Sequence, residues 1–290
     1  MEPISLDCTL CILNQSLQAA RIATDDVETH ARIVERTMRK SLELGLDADP
    51  PLFGTIVHRI VREETGDPDP YYAEKKRFNK LALEMLDLVR SKIAAADDEF
   101  EATVRFAIAG NSIDFARGAL DEKKVDEAIQ AAVYQPTLGS YEELRAAVDA
   151  AKTILYITDN AGEIVYDRLL VELLTKKYGK DVTVVVRGKP ILNDALLEDA
   201  QEVGMTDVAP VVGNGGDGLG VIFEFVSDEF KEKYANADFV ICKGLANFET
   251  LGVGPREIMP KKIAFLFKAK CPFIAKRAGA NYGDLVVRIS

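Results

Sequence analysis

Five short, apolar, β-branched runs in the second half of the chain constrain its fold more than any other feature. They are TILYIT (153–158), VTVVV (182–186), DFVIC (238–242), IAFLF (263–267) and LVVRI (285–289). A strand that is apolar on alternate residues wets one face, whereas a near-continuous apolar strand must be covered on both. Helical patterns lie between the runs, notably GEIVYDRLLVELLTKKYG (162–179), which ends on the stop signal Gly179. Strand–helix alternation of this kind predicts a mainly parallel sheet with helices on both faces. The expected class is α/β: a three-layer α/β/α sandwich over residues 151–290, preceded by an all-helical domain over residues 1–150.

The first half reads as helical because its apolar residues recur at helical spacing. In DDVETHARIVERTMRKSLEL (25–44) they are Val27, Ile33, Val34, Met38 and Leu42, and Asp25 or Asp26 can cap the free backbone N–H groups. A second pattern covers residues 67–96, opening with prolines. There Lys75 or Asn79 could face the active cleft, although a solvated helix face is the expected reading. SYEELRAAVDAAK (140–152) starts with Ser140 and has Glu143 three residues on, a capping-box spacing. VRFAIAGNSIDF (104–115) reads as a helix that breaks at Gly110-Asn111. Early helices of such a chain can also pack onto the sandwich, so the boundary near 150 is a coarse one.

Composition narrows the function classes. With 48% hydrophobic residues in 290, a large buried core is expected. The formal net charge of −11 argues against nucleic acid or anionic membrane as main partners, since both attract basic surfaces. No apolar run is long enough to span a bilayer, and residues 1–7 do not read as a secretory signal. Four cysteines, Cys8, Cys11, Cys242 and Cys271, are too sparse for a disulfide scaffold, so a reducing cytoplasm is the natural compartment. A homo-oligomer is compatible with the sequence but not specified by it.

In open α/β sheets ligands bind outside the carboxyl ends of the strands. After the first run come Asp159, Asn160 and, one turn into the helix, Glu163. After the second come Arg187, Lys189, Asn193 and Asp194. The third is followed by Lys243, Asn247 and Glu249, and the fourth by Lys268, Lys270 and Cys271. One Asp or Asn after a strand is an ordinary helix cap; four successive tips of this kind are harder to assign to capping alone. Asp159, Asn160 and Asp194 offer only oxygen ligands, which suits Mg²⁺, Mn²⁺ and similar divalent ions. Lysines beside them suggest a phosphate whose charge is offset during transfer. The glycine-dense VVGNGGDGLG (211–220) would add backbone N–H donors for an anion. The residues therefore point to metal-assisted chemistry on a small phosphorylated metabolite.

DNAGEIVYD, VVRGKPILND, DFVICKGLANFETL and FKAKC, in this order, resemble the damage-control phosphatase family, also known as domain of unknown function 89. GNSIDF (110–115) and the Cys8-Thr9-Leu10-Cys11 start resemble its prokaryotic and archaeal branch. The resemblance implies a helical part with an α/β/α part, and hydrolysis of small phosphate esters with Mn²⁺, Co²⁺, Ni²⁺ or Mg²⁺. It implies Asp159, Asn160 and Asp194 as metal ligands. Asn111, Lys243 or Asn247 and a lysine of the Lys268–Lys270 segment are implied on the phosphate side, with Lys268 favoured because it directly follows the apolar run. Attack by metal-activated water is expected, with Asp194 as ligand or as ligand and base; direct attack by an Asp is the competing route. Glu163 stands near substrate or orients a ligand, or is simply a first-turn acid favoured by the helix dipole.

The four cysteines could form a second metal or redox site, although only Cys8 and Cys11 have knuckle spacing. His30 and His58 read as structural or surface residues. Two further function classes are a non-catalytic nucleotide or sugar-phosphate binding protein and a cysteine-based metal or redox protein. The first draws on GNGGDG, which does not open a helix directly after the first strand as a dinucleotide-binding loop should.

Overall fold

A computed structural model describes residues 6–45, 48–110, 130–131, 133–252 and 262–290. Three helices come first: α1 (Leu6–Ala23), α2 (Val27–Leu44) and α3 (Pro50–Thr65). Asp26 caps α2 by accepting from the Glu28 and Thr29 N–H groups, and Asp49 caps α3 just ahead of Pro50. These helices close around small clusters of their own, with Ala19, Ala20, Ile33, Ile60 and Val61 in one and Ile12, Phe53 and Val57 in the other.

Then come α4 (Tyr72–Glu84), α5 (Leu86–Ala94), α6 (Glu99–Ala109), β1 (Thr137–Gly139) and α7 (Tyr141–Ala150). The α/β half continues with β2 (Thr153–Ile157), α8 (Glu163–Glu172), β3 (Asp181–Val186), α9 (Leu197–Glu202), β4 (Val211–Gly213), α10 (Asp228–Asn236), β5 (Phe239–Lys243), α11 (Leu245–Leu251), β6 (Ile263–Lys268), α12 (Pro272–Ala278) and β7 (Leu285–Ile289). A π-helical turn, Leu173–Lys177, extends α8 to its left-handed stop at Gly179.

The strands form one seven-stranded sheet in the order β1-β7-β6-β5-β2-β3-β4. From β6 to β4 neighbouring strands are parallel; β7 runs antiparallel to β6 and carries β1 parallel to itself. Helices cover both faces, as the apolar runs require. Tyr156, Val184 and Ile241 point into a core shared with α5 to α8, while Leu155, Ile157, Val185 and Val240 point into one shared with α10, α11 and α12. The expected α/β/α sandwich with a mainly parallel sheet is therefore present.

Helices before residue 150 do pack onto the sandwich, as the coarse boundary there allowed. The larger core runs without a break from Ala82 through α5, α6 and α7 into the sheet, and β1 belongs to that sheet. Only α1 to α3 keep separate clusters, because α4 to α7 bury the apolar face of the sandwich. From β2 the chain moves outward to β3 and β4, then returns to β5 on the other side of β2. This reversal leaves a crevice beyond the carboxyl ends of β2 and β5, where open α/β sheets bind ligands.

His58 of α3 is 3% exposed and lines a cavity of about 10 Å³ with Arg62, Asp69, Tyr71 and Pro190. Burial first, and then the Arg62 charge, hold its pKa at about 3, well below the ordinary 6.5. Unfolded chains therefore bind a proton that the folded chain refuses between pH 6.5 and 3, so stability falls as pH drops through that window. From pH 7.5 to pH 5 this one group should cost about 2 kcal/mol. Urea unfolding at the two pH values, with His58→Leu reducing the difference, checks it.

Candidate active site

The tips of β2 and β3 are stitched together by backbone hydrogen bonds. Ala195 N–H donates to Asp159 O at 2.9 Å, Ala161 N–H to Asn193 O at 2.8 Å, and Asn160 and Asp194 form an isolated antiparallel bridge. Asp159, Asn160 and Asp194 are thereby held side by side, each at most 9% exposed. Two glycines make the packing feasible. Gly162 has φ +79° and lies against Phe78 of α4, and its N–H donates to Asn79 Oδ1 at 2.7 Å. Gly244, at the tip of β5, backs onto the Asp159 carboxylate so closely that a Cβ there would sit 2.2 Å from Asp159 Cγ.

Beneath this edge lie two buried cations with their partners. Arg187 Nε donates to Asp194 Oδ2 at 2.6 Å, and Arg187 Nη2 to Asn247 Oδ1 at 3.0 Å. Asn247 Nδ2 in turn donates to the Thr158 and Lys243 carbonyls. Lys243 is wholly buried and spends its ammonium group on Glu163 Oε1 (2.5 Å), Asp167 Oδ1 (2.6 Å) and the Ala107 carbonyl (2.6 Å). Tyr156 Oη also donates to Asp167 Oδ1, at 2.8 Å. Burial pushes the Asp167 carboxyl up to about 6 against the pull of Lys243.

The aspartates at the edge remain under electrostatic stress. Burial, reinforced by the carboxylates of Asp194 and Glu163, raises the Asp159 pKa well above its ordinary value. Burial raises that of Asp194 too, with Arg187 opposing. Asn160 Nδ2 donates to Asp159 Oδ2 at 2.9 Å. Among the described residues, Asp159 Oδ1, Asp194 Oδ1 and the Asn160 carboxamide oxygen accept no hydrogen bond. Three oxygen acceptors with excess negative charge fit a hard divalent cation, which would relieve that stress.

These groups open into a cavity of about 330 Å³. Glu163, Lys268, Lys270 and Cys271 share its wall with the metal-side trio, and Ile108, Leu192, Leu219 and Phe267 supply apolar surface. Burial lowers the pKa of both lysines. After burial, the Glu163 and Asp159 charges act on Lys270, whereas the charge acting on Lys268 is that of Lys270.

The strand-tip residues thus gather, but not all with the expected part. Lys243 and Asn247 were expected at substrate; their donors are instead engaged behind the cavity wall, because the carboxylates they support are buried with them. Glu163 both lines the cavity and accepts from Lys243. Asn111 lies outside the described residues. The cysteines do not assemble: Cys8 and Cys11 lie on α1, Cys242 is buried within β5 and Cys271 sits at the cavity wall. Among the described residues no group of three or more His, Cys, Asp or Glu side chains is arranged to hold a metal, so the tetrathiolate expectation finds no geometric support. Part of the glycine-dense loop is held from within and by α3. Asn214 Oδ1 takes the Gly188 and Gly216 N–H groups, and Arg59 and Arg62 of α3 grip Asp217 at 2.6–2.8 Å.

Asn79 and Lys75 are where sequence reasoning missed most. Both are fully buried rather than solvated. Asn79 Nδ2 donates to Asp199 Oδ1 (3.0 Å) and Glu202 Oε2 (2.9 Å), so α4 locks the turn after Asn160 onto α9. Lys75 pairs with Asp69 at 2.6 Å. Their i, i+4 spacing puts them on one helix face, the only signal available beforehand.

Comparison with known proteins agrees with this architecture. The family profile described as the damage-control phosphatase ARMT1-like domain matches residues 4–286. A damage-control phosphatase of Archaeoglobus fulgidus is 33% identical over 99% of both chains. One from Pyrococcus horikoshii is 32% identical over 98% of this chain and 96% of its own. An uncharacterized protein of Methanocaldococcus jannaschii is 39% identical, covering 98% of this chain and 94% of its own. A crystal structure of a family member from Pyrococcus horikoshii superposes with a TM-score of 0.87 at 30% identity, over 99% of both chains.

If Lys243 supports buried carboxylates rather than touching a ligand, Lys243→Met should destabilise the free protein by about 3–5 kcal/mol, since it strands Glu163 and Asp167 without their counter-ion. Denaturant unfolding without added ligand measures this; a loss below about 1 kcal/mol would return Lys243 to the substrate side.

Proposed function

Because the chain belongs to the damage-control phosphatase ARMT1-like domain family, we propose that it is a divalent-metal-dependent phosphatase hydrolysing phosphate monoesters of small metabolites. The observation that carries this reading is the convergence of Asp159, Asn160 and Asp194 in one cavity with Lys268 and Lys270. Mn²⁺, Co²⁺, Ni²⁺ and Mg²⁺ all suit such an oxygen set. The cavity volume favours a small ester, and a cytoplasmic setting agrees with the sparse cysteines. Among the described residues no helix is long and apolar enough to cross a membrane.

Asp159, Asn160 and Asp194 would hold the cation through the three oxygens that accept no protein hydrogen bond. When bound, the cation supplies Lewis acidity at the phosphoryl group and lowers the pKa of a coordinated water. Lys270, and Lys268 beyond it, offset phosphate charge in a partly desolvated wall where an ammonium acts more strongly than in water. Arg187 fixes Asp194 through Oδ2 and keeps it from turning away. Water is the nucleophile in this reading. Asp159 Oδ2 and Asp194 Oδ2 already accept from Asn160 and Arg187, so both carboxylates are held in place as the residues that would bind the cation. Glu163, anchored by Lys243, orients polar groups at the cavity floor.

Hydrolysis of p-nitrophenyl phosphate, assayed with each of the four metals, tests the reading. Turnover should require added metal and vanish with EDTA. Asp159→Ala and Asp194→Ala should each lose at least about a hundredfold in kcat/KM, since they position both cation and nucleophile. Equal turnover in the variants would leave a phosphate-binding protein instead. Acid quenching during turnover should trap no phospho-aspartate; a trapped one would replace the water route.

Lys270→Met should raise KM for the same ester more than Lys268→Met does, because Lys270 is the lysine on which the Glu163 and Asp159 charges act. The reverse order in steady-state kinetics would put the phosphate on the outer lysine.

A further inference from the structure

Helix α11 starts at Gly244, against the Asp159 carboxylate, and turns one face to the cavity through Leu245, Ala246 and Glu249. Its opposite face, Asn247, Phe248 and Leu251, is buried. Glu249 stands five residues beyond Gly244, about 7.5 Å along the axis at 1.5 Å per residue. It therefore sits away from the metal-side trio yet on the same cavity.

Glu249 is half-buried and, among the described residues, has neither a hydrogen-bond partner nor an ion pair. Of the other acids in this edge, Asp194 is answered by Arg187, and Glu163 and Asp167 by Lys243, while Asp159 belongs to the proposed cation site. Leu219, Leu245 and Phe267 give the same cavity part of its apolar wall. Burial, and then the neighbouring Asp49 carboxylate, push its pKa up to about 7, with Arg277 opposing only in part. A carboxyl in such a place costs stability unless something pairs with it. Its position on the cavity face leaves the ligand as that partner.

We infer that Glu249 is a specificity-determining residue whose carboxyl accepts a hydrogen bond from an O–H or N–H donor on the organic part of the phosphate ester. This rests on the phosphatase reading and extends it from the phosphate to the rest of the substrate. The site then has two poles: metal ligands and lysines for phosphate, and Glu249 for a donor group several bonds away. An ester with a purely alkyl tail leaves Glu249 unpaired and is disfavoured for that reason.

The test compares 3-hydroxypropyl, 3-aminopropyl and n-butyl phosphate, which have nearly the same length and differ in the terminal group. Wild-type kcat/KM should favour at least one donor-bearing ester over butyl phosphate by about tenfold, one good hydrogen bond. In Glu249→Leu that ratio should fall to within about twofold of one. Glu249→Gln should keep a preference for the hydroxyl ester, because its amide oxygen still accepts, and lose any preference for the ammonium ester. An unchanged ratio in Glu249→Leu overturns the inference. Melting midpoints provide a readout independent of turnover. Donor-bearing esters should raise the wild-type midpoint more than butyl phosphate does, and the difference should disappear in Glu249→Leu. If p-nitrophenyl phosphate is not hydrolysed, the phosphatase reading fails while these midpoints still decide the role of Glu249. Without ligand, both variants should melt at or above the wild-type temperature; a drop in both would make Glu249 a structural residue and overturn the inference.

Discussion

Two buried cations, Arg187 and Lys243, are what allow acidic side chains to crowd the carboxyl edge of an otherwise apolar sheet. Desolvation disfavours ionised Asp159, Glu163, Asp167 and Asp194 alike. Arg187 answers Asp194 and Lys243 answers Glu163 and Asp167, each at hydrogen-bond distance. Of these four, Asp159 is the acid left without a cation at contact distance, and burial with the Asp194 and Glu163 carboxylates raises its pKa well above the ordinary value. The edge thus concentrates its unrelieved negative charge where a divalent ion would sit.

The helical half contributes fixing points more than catalytic groups. Asn79 of α4 holds the turn that follows Asn160, and Arg59 and Arg62 of α3 hold the glycine-dense loop through Asp217. Thr55 of α3 takes the N–H of Leu219, a cavity-lining residue. These contacts span more than 80 residues of sequence, so the shape of the cavity depends on how α3 and α4 dock onto the sheet. Asp49, the N-cap of α3, also reaches the electrostatic neighbourhood of Glu249.

Some of this was legible beforehand and some was not, for reasons that differ by residue. The apolar runs announced buried strands because no other environment tolerates them. Polar residues at four strand tips announced a site because a parallel sheet opens its carboxyl edge to ligand. Yet Lys243 and Lys268 look alike in sequence, each ending a strand. The neighbours decide between them: Lys243 points into a pocket of carboxylates from α8, while Lys268 lies beside the cavity. Likewise Lys75 and Asn79 carry the polarity of a solvated face and are buried, because Asp69, Asp199 and Glu202 wait for them on other elements.

By itself the sequence determined the mainly parallel α/β/α architecture, the strand tips that line the cavity and the oxygen-only character of Asp159, Asn160 and Asp194. These follow from periodicity and from the intrinsic chemistry of single residues, which are local properties. Tertiary structure alone decided which lysine faces the cavity and which is a counter-ion. It also decided that the cysteines stay apart, and that Glu249 stands unpaired on the cavity wall. Each of those outcomes depends on distances between groups far apart in the chain, and charge pairing and desolvation act through distance, not through sequence separation.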